Sequence, residues 1–288
     1  MLNTGSATSS KRDLDRGRLL ILLAALLWSL AGVFIKLLDI HPLTIVFYRS
    51  LFASLVFVPF LKSSEFRVNG PIIVSVISYT AAITAFVSAN KLTTAANAIV
   101  LQYTAPVLVY LFSRLVLGEK ISTPNALALA VSMAGVAFIS IDNAGEPEMS
   151  GVVLALLSGV LFAIYMVNLQ RVSDFSATYL TWLNNLVCAL LILPFVEAPL
   201  ALSTDQLLIV AIMGAVQLGL PYFLFSRALR TIPLQEAALI ALIEPVLNPV
   251  WVALSFGEIP SLATVIGGAM IVVALAVRYL GALISRSS

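Results

Sequence analysis

The chain has 288 residues, 60% of them hydrophobic and 10% charged, with a mean hydropathy of +1.05. Soluble domains carry about 25% charged residues, so this composition leaves too few polar side chains to cover a water-facing surface and excludes a soluble enzyme. A single Cys (Cys188) and a single His (His41), in different segments, exclude a disulfide framework, a Cys/His zinc site and a Cys–His pair.

Residues 1–18 (MLNTGSATSSKRDLDRGR) are polar and rich in Ser, Thr and Gly, and read as a short disordered tail on the cytoplasmic side. From Leu19 the chain becomes a series of apolar runs, each near the ~20 residues a helix needs to cross about 30 Å of hydrocarbon. In chain order they are 19–35, 44–61, 71–90, 92–113, 121–141, 149–170, 175–196, 206–226, 237–257 and 259–277. The second contains Arg49, six residues in from its outer end and near enough to snorkel in part, and the ninth contains Glu244 near its middle. Lipid offers no partner to backbone N–H and C=O groups, and the runs lack the alternation of a barrel strand, so helices are required. The sequence thus predicts an all-α polytopic membrane protein with ten transmembrane helices. Connecting loops are mostly under about ten residues, which leaves no soluble domain. The first run is read as a retained span, because no cleavage site followed by soluble sequence comes after it.

Orientation follows from Lys and Arg. With the N-terminus in the cytoplasm, thirteen of the 16 basic residues fall on that side, among them Lys62, Arg67, Arg114, Lys120, Arg171, Arg227 and Arg278. Lys91 alone falls outside, where the loops are acidic (Asp142, Glu146, Asp205), and Lys36 and Arg49 belong to spans. Both termini are therefore expected in the cytoplasm. The basic residues are assigned to one membrane face, which leaves no support for nucleic-acid binding.

A shift of 139 residues lays Pro106-Val107-Leu108 on Pro245-Val246-Leu247 and Gly118-Glu119 on Gly257-Glu258, and a shift of 135 lays Pro59-Phe60 on Pro194-Phe195. This collinearity points to a tandem duplication, with 19–141 and 149–284 as five-helix repeats. Five is odd, so the second repeat enters the membrane from the opposite face, giving a 5+5 inverted repeat. In transporters such repeats enclose a midplane site that is exposed alternately to each side. Pro106 and Pro245 each remove a helical hydrogen bond and are candidate hinges. The second Gly-Glu is followed by Ile-Pro, so its helix end is expected to differ from the first.

Ten helices as five plus five, short loops, and a Pro followed twelve residues later by Gly-Glu in each half resemble the drug/metabolite transporter superfamily in its EamA-type branch. The resemblance covers the whole chain after the tail. Within that branch the sequence resembles bacterial exporters of aromatic amino acids. This implies efflux of Phe, Tyr and Trp, and of aromatic cations such as methyl viologen, across the inner membrane.

Glu244 is the sharpest site signal. An uncompensated charge at mid-span costs at least about 2.5 kcal/mol, and intramembrane ionisable groups mark pathways. Helical spacing puts Asn248 one turn later on the same face, with Trp251 beyond it. Glu244 could hold a substrate ammonium or exchange a proton. Arg49 stands equally between a structural pairing and recognition of a substrate carboxylate. Aromatic residues at mid-depth complete the candidate substrate site, because interfacial belts explain only those near span ends. Trp28 has Ala25 and Gly32 on its face, leaving room beside the indole, and its repeat counterpart is Phe162. Tyr79, Tyr103 with Gln102, Trp182 and Tyr222 supply further rings and one amide, a set suited to stacking a flat solute.

Enzymatic readings fare badly: the spans hold one carboxylate and no His, and no phosphate-binding GxxxxGK[ST] loop is present. No catalytic residue, metal or cofactor is expected. The sequence predicts a secondary transporter whose partners are a small-molecule substrate and the lipid bilayer. A drug-cation carrier, a nucleotide-sugar carrier and a non-transporting scaffold or channel are the alternatives.

Overall fold

The structure, a computed structural model, describes residues 11–62, 66–93, 95–141, 148–196, 202–257 and 261–284. It is all helical, with no strand among the described residues. The elements are α1 (Lys11–Trp28), α2 (Ala31–Lys36), α3 (Pro42–Phe57), α4 (Gly70–Leu92), α5 (Ala95–Gln102), α6 (Ala105–Phe112) and α7 (Thr123–Ile141). They continue as α8 (Met149–Arg171), α9 (Ala177–Ile192), α10 (Thr204–Ile212), α11 (Leu220–Ala228), α12 (Leu234–Ala241), α13 (Glu244–Phe256) and α14 (Leu262–Ile284).

Local chemistry sets the helix starts. His41 Nδ1 accepts from Leu43 N–H at α3, and Asn69 Oδ1 accepts from Ile72 N–H at α4. Ser176 caps α9, and Ser203 with Gln206 forms a reciprocal capping box at α10. Proline lies in the first turn of α3, α4, α6 and α13, where its missing N–H has no helical partner to lose.

Several of these elements are parts of one crossing. Eight helices are long and apolar enough to span a membrane by length and composition, and two shorter apolar ones, Ala105–Leu117 and Thr123–Ile139, stand beside them. The run read as an unbroken fourth span is interrupted at Tyr103 and Thr104, just ahead of Pro106, which accounts for the shorter piece. The ninth is interrupted at Leu242 and Ile243 ahead of Pro245. The prolines therefore sit one turn beyond the breaks, opening the second helix of each pair, where the sequence reading expected kinks within continuous helices. Pro249 adds a further interruption inside α13. The first crossing breaks at Ser29 and Leu30 without any proline, and the eighth widens into a π-helical stretch over Met213–Gly219.

Both Gly-Glu helices stop at a glycine, Gly118 and Gly257, with φ +71°, the left-handed region that glycine occupies without penalty. The turns before it differ, as expected: the first ends in a π-helical stretch, Ser113–Leu117, with Gly118 N–H donating to the Ser113 carbonyl, and the second stays α-helical, with Gly257 N–H donating to the Ala253 carbonyl. Glu258 lies outside the described residues. A second correction concerns the start of the chain. α1 begins at Lys11, eight residues ahead of the apolar run, and its polar turns are held by Arg18 pairing with Asp15 at 3.1 Å and with Glu236 of α12 at 2.7 Å. Within residues 1–18, therefore, Lys11 to Arg18 are helical; residues 1–10 lie outside the described set.

The most extensive pairings join α4 to α8, α7 to α14, α3 to α9 and α1 to α11, so each first-half helix packs chiefly on a second-half one. The core lies along these seams, with Ile21, Ala24, Ile45, Val87, Ala163 and Leu239 fully buried. Leu127, Val153, Leu254, Leu262 and Val277 project outward, as lipid-facing side chains do.

Candidate functional site

A small cavity lies where the broken helices meet. Its wall takes Trp28 from the end of α1, Gln102 and Tyr103 from the α5–α6 break, Ala105 and Pro106 from α6, and Phe162 and Met166 from α8. Ala238 and Ala241 of α12 and Glu244, the first residue of α13, close it. Its volume is about 30 Å³, room for about two water molecules, so the interior is contracted in this conformation. The break supplies the space: interrupted helices part, and Ala238 and Ala241 put only methyl groups toward the gap.

Glu244 opens α13, where the helix dipole favours a negative charge. Its polar neighbour is the Tyr103 hydroxyl, which closes no hydrogen bond of ordinary length. Trp28 Nε1 is likewise buried without a partner. Gln102 is engaged, donating to Ser158 Oγ at 2.8 Å, which in turn donates to the Ala82 carbonyl at 3.0 Å. Buried polar atoms normally find partners, so an indole N–H and a phenol left unpaired at one cavity mark a place for water or a solute.

Behind the cavity the rings form a continuous cluster. Trp28 meets Tyr222 edge-on at 5.0 Å and Phe162 at 6.2 Å, and Tyr222 meets Tyr79 at 5.0 Å and Tyr165 at 5.8 Å. Tyr79 donates to Asn185 Oδ1 at 2.8 Å, and Asn184 donates to the Tyr165 hydroxyl at 3.3 Å. Edge-to-face rings at these spacings can exchange partners with an aromatic solute at little cost in contact energy.

Of the nine residues singled out in the sequence, Trp28, Gln102, Tyr103, Phe162 and Glu244 line the cavity, and Tyr79 and Tyr222 stand immediately behind it. Asn248 does not. Its amide donates to the Ser29 carbonyl at 3.0 Å, while Trp251 Nε1 donates to Ser29 Oγ at 2.8 Å and Gln217 Nε2 to the Trp28 carbonyl at 3.3 Å. These three second-half side chains satisfy groups at the break of the first crossing. The same contact fills the room expected at Gly32, since a Cβ there would meet the Asn248 amide. Trp182 is also elsewhere, packed on Phe66 at 5.4 Å and Tyr179 at 6.0 Å. Met166, Ala238 and Ala241 were missed; the signal for Met166 was its place one turn from Phe162, and for the alanines their i, i+3 spacing on one face. Lys91, expected as a loop charge, donates to the Leu38 carbonyl at 2.7 Å.

Among the described residues no cluster of His, Cys, Asp and Glu suits a metal ion. A polytopic helical bundle whose broken helices meet at an internal cavity is the architecture of a membrane transporter. The sequence model of the EamA-like transporter family matches residues 15–141 and again 149–280, and the chain belongs to that family. An uncharacterized transporter of Archaeoglobus fulgidus is 26% identical over 270 residues, covering 93% of this chain and 98% of its own. The uncharacterized transporter YdfC of Bacillus subtilis is 28% identical over 199 residues, 66% of this chain and 64% of its own. One crystal structure, at 20% identity, superposes with a TM-score of 0.79 over 92% of this chain and 97% of its own, a likeness of fold alone.

Proposed function

We propose that this chain exports small organic solutes by alternating access, with aromatic or hydrophobic amino acids as its main cargo. The working arrangement is ten crossings of the plasma (inner) membrane in two oppositely threaded halves, 19–141 and 149–284, with both termini in the cytoplasm. The observation that carries the reading is the cavity at the junction of three helix breaks, walled by rings and holding an unpaired indole N–H and phenol. The helix pairings support two related halves: exchanging the halves turns the α4–α8 pairing into that of α11 with α1, and leaves α3–α9 and α7–α14 in place. Two separate matches to the family model, one in each half, support it as well.

The cavity is too small for an aromatic side chain, so the solute enters only when the halves part. The breaks at 29–30, 103–104 and 242–243 are where backbone hydrogen bonds are already interrupted and bending is least costly. Glu244 then meets the solute's ammonium and the rings receive its apolar body. A second reading, export of aromatic cations such as methyl viologen, draws on the same carboxylate and ring faces.

Counterflow in liposomes tests the proposal. Vesicles containing the purified protein and preloaded with unlabelled phenylalanine should accumulate radiolabelled phenylalanine transiently and saturably. A passive pore gives flux without this overshoot, and an inert scaffold gives no flux; either result ends the carrier reading.

A further inference from the structure

Arg49 sits in the middle of α3 with 1% of its surface exposed, and its Nε has no hydrogen-bond partner. Among the described residues no carboxylate lies within ion-pair distance of it. Its electrostatic neighbours are Tyr79, Tyr222 and Cys188, two phenols and a thiol. The guanidinium keeps its charge at any physiological pH, and a buried cation without a counter-charge is strongly unfavourable. A pairing that is missing inside the folded chain can be supplied by a ligand.

The place fits that role. Tyr222 is an electrostatic neighbour of both Arg49 and Glu244, and its ring packs against Trp28 and Phe162 of the cavity wall. Arg49 therefore adjoins the rings that back the cavity, and the carboxylate of Glu244 stands on its wall. The guanidinium's planar fork of donors matches a carboxylate or a phosphate bidentately, and the apolar rings around it suit a carboxylate carried on an apolar body.

We infer that Arg49 is the carboxylate-recognising residue of the carrier, so that the solute bears a carboxylate beside an apolar body and a cation lacking one is turned away. The inference rests on reading the ring-lined interior as the substrate site, and it decides between the two cargo classes that the rings alone leave open. The solute's carboxylate supplies the missing counter-charge, and the rings move apart to admit it.

The test compares amino acids with amides in which a neutral carboxamide replaces the carboxylate. Binding of L-phenylalanine, L-phenylalaninamide, L-leucine, L-leucinamide and methyl viologen is measured by thermal shift of the full-length protein in detergent and by competition in counterflow. In the wild type each acid should bind at least about tenfold tighter than its amide, the scale of one charged hydrogen-bonded pair. Arg49→Gln should bring the two within about twofold, and Arg49→Lys should keep part of the difference. Gel-filtration elution reports whether each variant is folded; if Arg49→Gln is not, the wild-type ratio and Arg49→Lys decide. Equal binding of acid and amide, tight binding of methyl viologen, or discrimination that survives in folded Arg49→Gln overturns the inference. Discrimination seen with the leucine pair while phenylalanine fails to bind sustains Arg49 and removes the aromatic cargo. Binding by no compound overturns both.

Discussion

Two carboxylates outside ion pairs show how position decides the work of a side chain. Glu244 faces the cavity beside the Tyr103 hydroxyl, so it is the group able to trade a proton for a solute. Glu244→Gln should abolish any dependence of counterflow on an imposed proton gradient and weaken phenylalanine binding; equal responses of mutant and wild type to the gradient would leave Glu244 a binding role only. Glu119, past the end of the short apolar helix, faces the first backbone N–H groups of α12, Leu234 and Gln235, and the side chains of Ser113 and Gln235. Pro233 at that N-cap has no side chain able to cap, and the carboxylate of the first half lies beside those free N–H groups. Burial holds the Glu119 carboxyl above its ordinary range, outweighing the hydrogen bonds that pull it down. A raised value means the folded protein binds this proton more tightly than the unfolded chain does. Its contribution to stability is full in acid and is lost as pH rises through the raised value. The melting temperature of Glu119→Gln relative to wild type should therefore improve from pH 4 to pH 8, and a constant difference would contradict the burial account. The Gly-Glu motif was legible as a repeat, but its job was not. The contact from Glu119 to Leu234 spans two halves of the chain, and nothing in either segment encodes it locally.

At the scale of the element, two helix ends share a glycine stop. Gly118 and Gly257 share φ +71°, and a Cβ built on either meets nothing within 4 Å. Substitution by alanine at each should then cost only the left-handed backbone penalty, roughly 1 kcal/mol, and should lower the detergent melting temperature by similar amounts. A large drop at one and none at the other would show that the two helix stops are not equivalent. The prolines tell a related story. Pro106 and Pro245 are readable in sequence as interruptions, yet each occupies the first turn of a new helix and the break precedes it by one turn. The break at Ser29 and Leu30 has no sequence marker at all. It exists because Gln217, Asn248 and Trp251 approach from the other half and take up the groups it releases, so tertiary contacts replace helical ones.

The whole molecule is tested by asking which side of the membrane each loop faces. In a Cys188→Ser background, a cysteine at Asp205 should react with a membrane-impermeant maleimide in intact cells. Cysteines at Lys120 and Arg171 should react only after permeabilisation. All three positions are exposed, so access is set by the bilayer. Labelling of Arg171→Cys from outside would mean an odd number of crossings in the first half plus the sixth span, and with it the loss of the opposed threading on which alternating access depends.

Membrane residence, the approximate helix count and the glycine helix stops were written in the sequence, because each depends on short-range chemistry: run length against bilayer thickness, and backbone preference at glycine and proline. The meeting of Tyr222 with Trp28 and Tyr79 was decided by tertiary structure, as were the diversion of Asn248 to a broken helix, the removal of Trp182 to another cluster and, among the described residues, the isolation of Arg49 from any carboxylate. Helical periodicity says which residues share a face. Which faces then oppose one another is fixed only when helices more than a hundred residues apart pack together, and in a chain this apolar nearly every face is oily enough to be buried.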